Sequence, residues 1–322
     1  DIDVRSSGSN LDVSNELILR APGGSIDLGT GSANVVGSIQ INASGNVDLS
    51  DNTLDSNLRR IISVNSGGDI NLTNALINQN LGTGASGINF ITTNGGIDLN
   101  GSQISVGQDA NDNFDLTATG LINFGSSVIN VLVSNPTDGV SITTTGSIDL
   151  GTATINLDSN FGAIPLNTLI MAGTGISGQT GVINVDGGLT LETTTGDISL
   201  QNFDIDVRSS ASNLNISNEL FVTSRAGSID LGASVVDVVG SINLRSSNNI
   251  DLGSGTLSIV TLNRDFQAFA GGTIDAASVQ VTVPNRFSLG ANGGVQANGS
   301  RIDAPDLEIF GFDPLATTPA LD

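Results

Sequence analysis

The sequence predicts an all-β fold: a parallel β-helix, or solenoid, of about 12–13 coils. Three observations carry the prediction. Short apolar-polar-apolar triplets, each introduced by Gly-Ser, Gly-Asn or Gly-Gly, recur along the chain, as in Ile26-Asp27-Leu28, Ile39-Gln40-Ile41 and Val47-Asp48-Leu49. A whole block of them is duplicated. Finally, the composition is rich in Gly and β-branched residues and poor in helix formers.

The duplication sets the organisation. Residues 1–49 align without gaps on 204–252, an offset of 203, with about 29 of the 49 positions identical. DIDVRSSGSNLDVSNEL becomes DIDVRSSASNLNISNEL. The match continues more loosely, with NGGIDLNGSQI from Asn94 answering NGGVQANGSRI from Asn292. Residues 1–304 therefore form the β-helix, with super-repeat copies 1–105 and 204–303 flanking 106–203. A chain whose opening text matches the middle of its own repeat is expected to be a segment of something longer.

The smaller period lies within each copy. Polar centres of the triplets fall at Asp27, Asp48, Asn71, Asp98, Asn123 and Asp149, then at Asp206, Asp230, Asp251, Asp275 and Asp303. Successive members of each series are 21 to 28 residues apart, which suits one solenoid turn with three short strands and corners of varying length. Alternation of Ile, Leu and Val with Asp, Asn, Ser and Thr has period 2, so apolar side chains point inward and polar ones outward. Phe114, Phe124 and Phe203 occupy inward triplet positions. Gly, Asn and Thr-Gly clusters mark the corners. The run Phe161 to Thr174, with Pro165 and Met171, breaks the rhythm and suggests either a lateral excursion or an ordinary coil with a bulge. Residues 305–322 change character: a final strand at Leu307 to Phe310 is followed by a tail bearing Pro314 and Pro319.

Composition removes whole chemistries. The 322 residues include no His, Cys, Trp, Tyr or Lys, and all ten cations are Arg. A Ser-His-Asp triad, a thiolate nucleophile, a zinc site of the usual kind and a Schiff-base lysine are thereby excluded. A formal net charge of −22 argues against nucleic acid as a partner. No segment approaches the ~18 apolar residues of a membrane span, so membrane insertion is not expected.

The remaining candidates are carboxylates. Asp1/Asp3, Asp204/Asp206 and Asp109 to Asp115 place acids close enough to suggest a glycosidase-like pair. Solvated strand faces explain them as well, with Arg5 and Arg208 recurring as coil features. Stacked aspartates would repel one another, and Ca²⁺ is the cofactor such a column would recruit, although no EF-hand loop or nonapeptide series is present. Threonines at Thr92-Thr93, Thr143 to Thr145 and Thr193 to Thr195 resemble the arrays of ice-binding solenoids; preceding glycine at corners, they are better explained by turn chemistry. Arg59-Arg60 is expected in an exposed turn. No catalytic residue is assigned.

At the level of GSIDL, GNVDL, SGGDINL and NGGIDL, the chain resembles the repeat region of filamentous-haemagglutinin-like exoproteins of two-partner secretion systems, particularly the surface-layer-like cyanobacterial members. The resemblance implies a right-handed β-helix, export to the cell surface, and a role as the non-catalytic shaft of a filament or adhesin. The secretion domain of that family, with its Asn-Pro-Asn motifs, is not seen. Uncapped solenoid ends would further favour end-to-end self-association. The rival expectation is an enzyme or binding module acting on extracellular polysaccharide.

Overall fold

The computed structural model describes residues 2–4, 16–56, 61–79, 86–107, 112–133, 139–159, 166–208 and 218–311. These residues form parallel strands and corners, with no helix among them and hence none long and apolar enough to cross a membrane.

Each turn visits three faces in order. The short face holds the triplets, as in Ile97–Asp98; the second face follows, as in Gln103–Val106; the third closes the turn, as in Asp112–Ala118. Each strand inside the stack pairs in parallel with its counterparts one turn before and after. The short face has twelve strands, from Ile26–Asp27 to Val295–Gln296, which corresponds to about 11 full turns. At the spacing of hydrogen-bonded strands this is a stack about 55 Å long. The other two faces merge into one 25-stranded sheet, because Val182–Thr193 runs unbroken through their shared corner at Gly187.

Period-2 patterning decides what is buried. In the rung beginning at Ile97, the side chains of Ile97, Leu99, Ile104, Val106, Phe114 and Leu116 point inward and are buried. Burying each contributes roughly 1.5–3 kcal/mol. That burial exists only because the turns before and after cover the rung, so a rung alone is unstable and the stack stabilises its members together. Phe114, Phe124 and Phe203 lie in the core as their positions predict.

The two super-repeat copies fold in the same register. Ile2 pairs with Ala33 as Ile205 pairs with Val236, and Leu17 with Ile39 as Leu220 with Ile242. Along the short face, turn length varies from 21 residues (Asp27 to Asp48) to 31 (Ser199 to Asp230). Where the sequence rhythm breaks, the structure continues: Leu166–Ala172 is an ordinary third-face strand between Gly139–Thr144 and Val182–Thr193, so no lateral excursion occupies 166–174. Asp306–Gly311 pairs with Arg286–Ala291 as the last rung of the same face. Residues 5–15, Arg59-Arg60, 109–111, Pro165 and the tail from 312 lie outside the described residues.

Candidate functional site: outward carboxylates and a corner groove

The polar centres of the triplets form a column on the short face: Asp27, Asp48, Asn71, Asp98, Asn123, Asp149, Ser177, Ser199, Asp230, Asp251, Asp275 and Gln296. Asp206 and Asp303, which fall into the same series by spacing, belong instead to the second face, in Asp204–Arg208 and Arg301–Asp303. The text Ile-Asp serves both faces, and spacing alone does not separate them.

Each acid of this column has a local task. Asp27 accepts the backbone N–H of Gly29 at 2.7 Å, Asp48 that of Ser50 at 3.0 Å, Asp98 that of Asn100 at 3.1 Å and Asp149 that of Gly151 at 3.0 Å. Asp230, Asp251 and Asp275 accept from Gly232, Gly253 and Ala277 at 2.8 to 2.9 Å. These are Asx turns, in which a side-chain oxygen satisfies a backbone donor two residues ahead and closes the corner. Asparagine then links rungs: the Asn71 amide donates to Asp48 at 3.1 Å and that of Asn123 to Asp98 at 3.0 Å. The Ser50 backbone bond is the largest of the effects that hold the Asp48 carboxyl below its ordinary value. The second face repeats the device, with Asn184 donating to Asn156 and Asn156 to Asn130, both at 2.8 Å.

One stretch lacks the dilution. Asp230, Asp251 and Asp275 are consecutive. The Asp251 carboxyl is raised from its ordinary value chiefly by burial, with further contributions from Asp230 and Asp275, against the lowering bond from Gly253. A raised folded-state value means the charged form is disfavoured in the fold, so stability is lost above that value and recovered as pH falls through it. Asp251→Asn keeps the Asx acceptor and removes the middle charge. Because the carboxylate is only partly withdrawn from water and its charge is screened, the expected gain at pH 7 is modest, about 0.2–1 kcal/mol. In thermal melts the variant's advantage should shrink as pH falls towards 4; equal advantage across that range would contradict the electrostatic origin.

Elsewhere the candidate acids are dispersed. Asp204, Asp206 and Arg208 project from one side of one strand, and Arg208 pairs with Asp206, which holds the guanidinium above its ordinary value. This is a surface ion pair in the middle of a continuous sheet. Of Asp109 to Asp115, Asp115 lies outward between Asn89 and Ser141, its carboxyl raised by burial. Among the described residues no group of three or more acids is placed to hold a metal ion. The threonines brace corners: Thr92 donates to the Gly95 carbonyl and Thr193 to that of Gly196, each at 2.6 Å, while Thr144 reaches the Gly120 carbonyl of the preceding turn.

A concavity also lies among the described residues. A groove of about 300 Å³ at the corner after the second face crosses four rungs and is lined by Gln79, Ser105, Val106, Gly107, Asn130, Val131, Leu132 and Asp158. Gln79 is 2% exposed, and its Oε1 has no hydrogen-bond partner. It occupies an inward position whose neighbours along the stack are Ser56 and Val106. Sequence reasoning missed this groove. The available signal was a glutamine in a slot that later turns fill with valine, leucine or isoleucine.

Comparison with protein-family models, curated proteins and solved structures gives no match.

Proposed function

We propose that this chain is a non-catalytic structural shaft of a secreted or cell-surface filament or adhesin, the role implied by its resemblance to filamentous-haemagglutinin-like exoproteins. One observation carries the reading. Along the short face, Asp and Asn side chains are spent on corner turns and rung-to-rung bonds, from Asp27 to Asp275, and do not converge on a reacting centre. Repetition of that device extends a stack, and in a quasi-one-dimensional protein each rung answers only to its neighbours.

The reading makes a deletion prediction. Removing residues 97–121 takes out one rung and joins Gly96 to Ile122, which can then stack on Ile70 as Ile97 does. The protein should remain folded, and the surface structure should persist, shorter by about 4.8 Å per copy. Abolition of the native phenotype by loss of this one rung, with folding intact, would refute the shaft.

The corner groove favours a second reading, a module that binds extracellular polysaccharide. Asn130 and Asp158, at the rim, would bond sugar hydroxyls, and Leu132 would meet an apolar sugar face above a floor of buried Gln79, Val106 and Val131. The same deletion removes Ser105, Val106 and Gly107. Oligosaccharide binding by the intact chain, lost in the deletion while the fold survives, would select this reading.

A further inference from the structure

On the second face, five consecutive rungs from Leu76–Gln79 to Val182–Thr193 carry two outward columns with no charged side chain. The chain has 32 Asp and Glu, so such a strip departs from its acidic coat. Further rungs continue on both sides, and the exposure of the strip owes nothing to the ends of the chain. Acids frame it. Asp55 follows in one column on one side and Asp206 on the other, while Asp158 stands towards the corner.

The column nearer the corner is Asn78, Ser105, Asn130, Asn156 and Asn184. Its amides are held in line, Asn184 donating to Asn156 and Asn156 to Asn130. A primary amide has two N–H donors and two acceptor lone pairs, and at Asn156 the ladder uses one of each. The other N–H and lone pair are left for a ligand. The column nearer the short face alternates: Leu76, Val128 and Val182 are apolar, with Gln103 and Thr154 between them. Apolar groups therefore recur every second rung, about 9.6 Å apart at twice the strand spacing.

We infer that this strip binds an uncharged, extended β-linked glycan lying along the solenoid axis. Such a chain turns successive sugars over and offers like faces at every second unit, as the apolar column does at every second rung. Its hydroxyls both donate and accept, which suits the amide groups that the ladder leaves unused. The framing acids would repel an anionic polysaccharide. A second copy of this chain would bring a further charge of −22 alongside the first, whereas a neutral glycan brings none. Ser105 and Asn130 also line the corner groove. The inference rests on the polysaccharide reading of that groove and deepens it by fixing the ligand's charge and direction.

Calorimetric titration of the full 322-residue chain with a soluble neutral β-glucan and with polygalacturonate is the test. The expected result is binding of the glucan alone. Asn156→Leu removes the spare donor and acceptor, and Val128→Asp adds a charge that binding must strip of water. Both changes lie on outward positions, and each should weaken glucan binding about tenfold while the chain stays folded. Asn243→Leu, the same change on the third face, should leave binding unaltered. Binding of polygalacturonate in place of glucan overturns the neutral ligand and leaves the polysaccharide reading standing. Glucan binding indifferent to Asn156→Leu and Val128→Asp overturns the strip as the site and leaves the groove. Binding of neither overturns the inference together with that reading.

Discussion

Gly253→Ala is expected to destabilise its rung by about 2–5 kcal/mol, combining roughly 1–2 for a left-handed alanine with about 1–3 for overpacking. Gly253 sits at φ +65° where the chain leaves the short face, donating its N–H to Asp251. A Cβ there would lie 1.4 Å from the carbonyl oxygen of Gly232 in the turn before. Asp51, Asn74, Asn202 and Ser278 adopt a similar φ elsewhere, so a side chain is tolerated at some left-handed positions. Gly29→Ala is the control: φ is +60° and nothing lies within 4 Å of its Cβ, so only the conformational part should remain. Because neighbouring rungs carry the damage locally, hydrogen exchange should show lost protection near residues 229–275 and little change at residues 39–71. Equal effects of the two substitutions would show that the inter-rung approach is not what demands glycine at 253.

Phe203→Ala is expected to cost about 3–5 kcal/mol, the range for emptying a buried aromatic site. The ring is 1% exposed and fills space that two glycines leave open: a Cβ at Gly178 would meet it at 2.4 Å and one at Gly181 at 2.7 Å. The residue is also tied through its backbone N–H to Ser234 Oγ at 2.9 Å. Gly178→Ala in the wild-type background should cost about 1–3 kcal/mol by pushing a methyl group into the ring. Combined with Phe203→Ala it should cost much less, since the methyl then enters vacated space. Denaturant unfolding of the four proteins measures this coupling; strictly additive costs would contradict the packing.

Phe203 also shows what the residues alone disclose. Its inward position follows from period-2 alternation, as do those of Phe114 and Phe124, and the stacked fold follows because such short strands cannot bury a face alone. Face identity is less legible. Asp206 and Asp303 share the Ile-Asp text of Asp230 and Asp251 yet lie on another face, because corner length decides which face a strand joins, and corner length varies by several residues per turn. Leu166–Ala172 breaks the sequence rhythm with Met171 and follows Pro165, but backbone pairing to both neighbouring turns overrides side-chain character there. The column of aspartates suggested repulsion and a cation to relieve it. The structure shows the additional task that periodicity does not reveal: each oxygen that closes an Asx turn is already committed to its own corner. The groove beside Gln79 was the least legible feature, since it depends on three-dimensional juxtaposition of four turns.

Electron microscopy of the protein in its native setting tests the central claim most directly, because a shaft and a site-bearing module differ in what they build. The account predicts extended fibres whose axial repeat is the strand spacing of about 4.8 Å. Isolated particles no longer than one chain's stack, with no fibre at any growth stage, would contradict it.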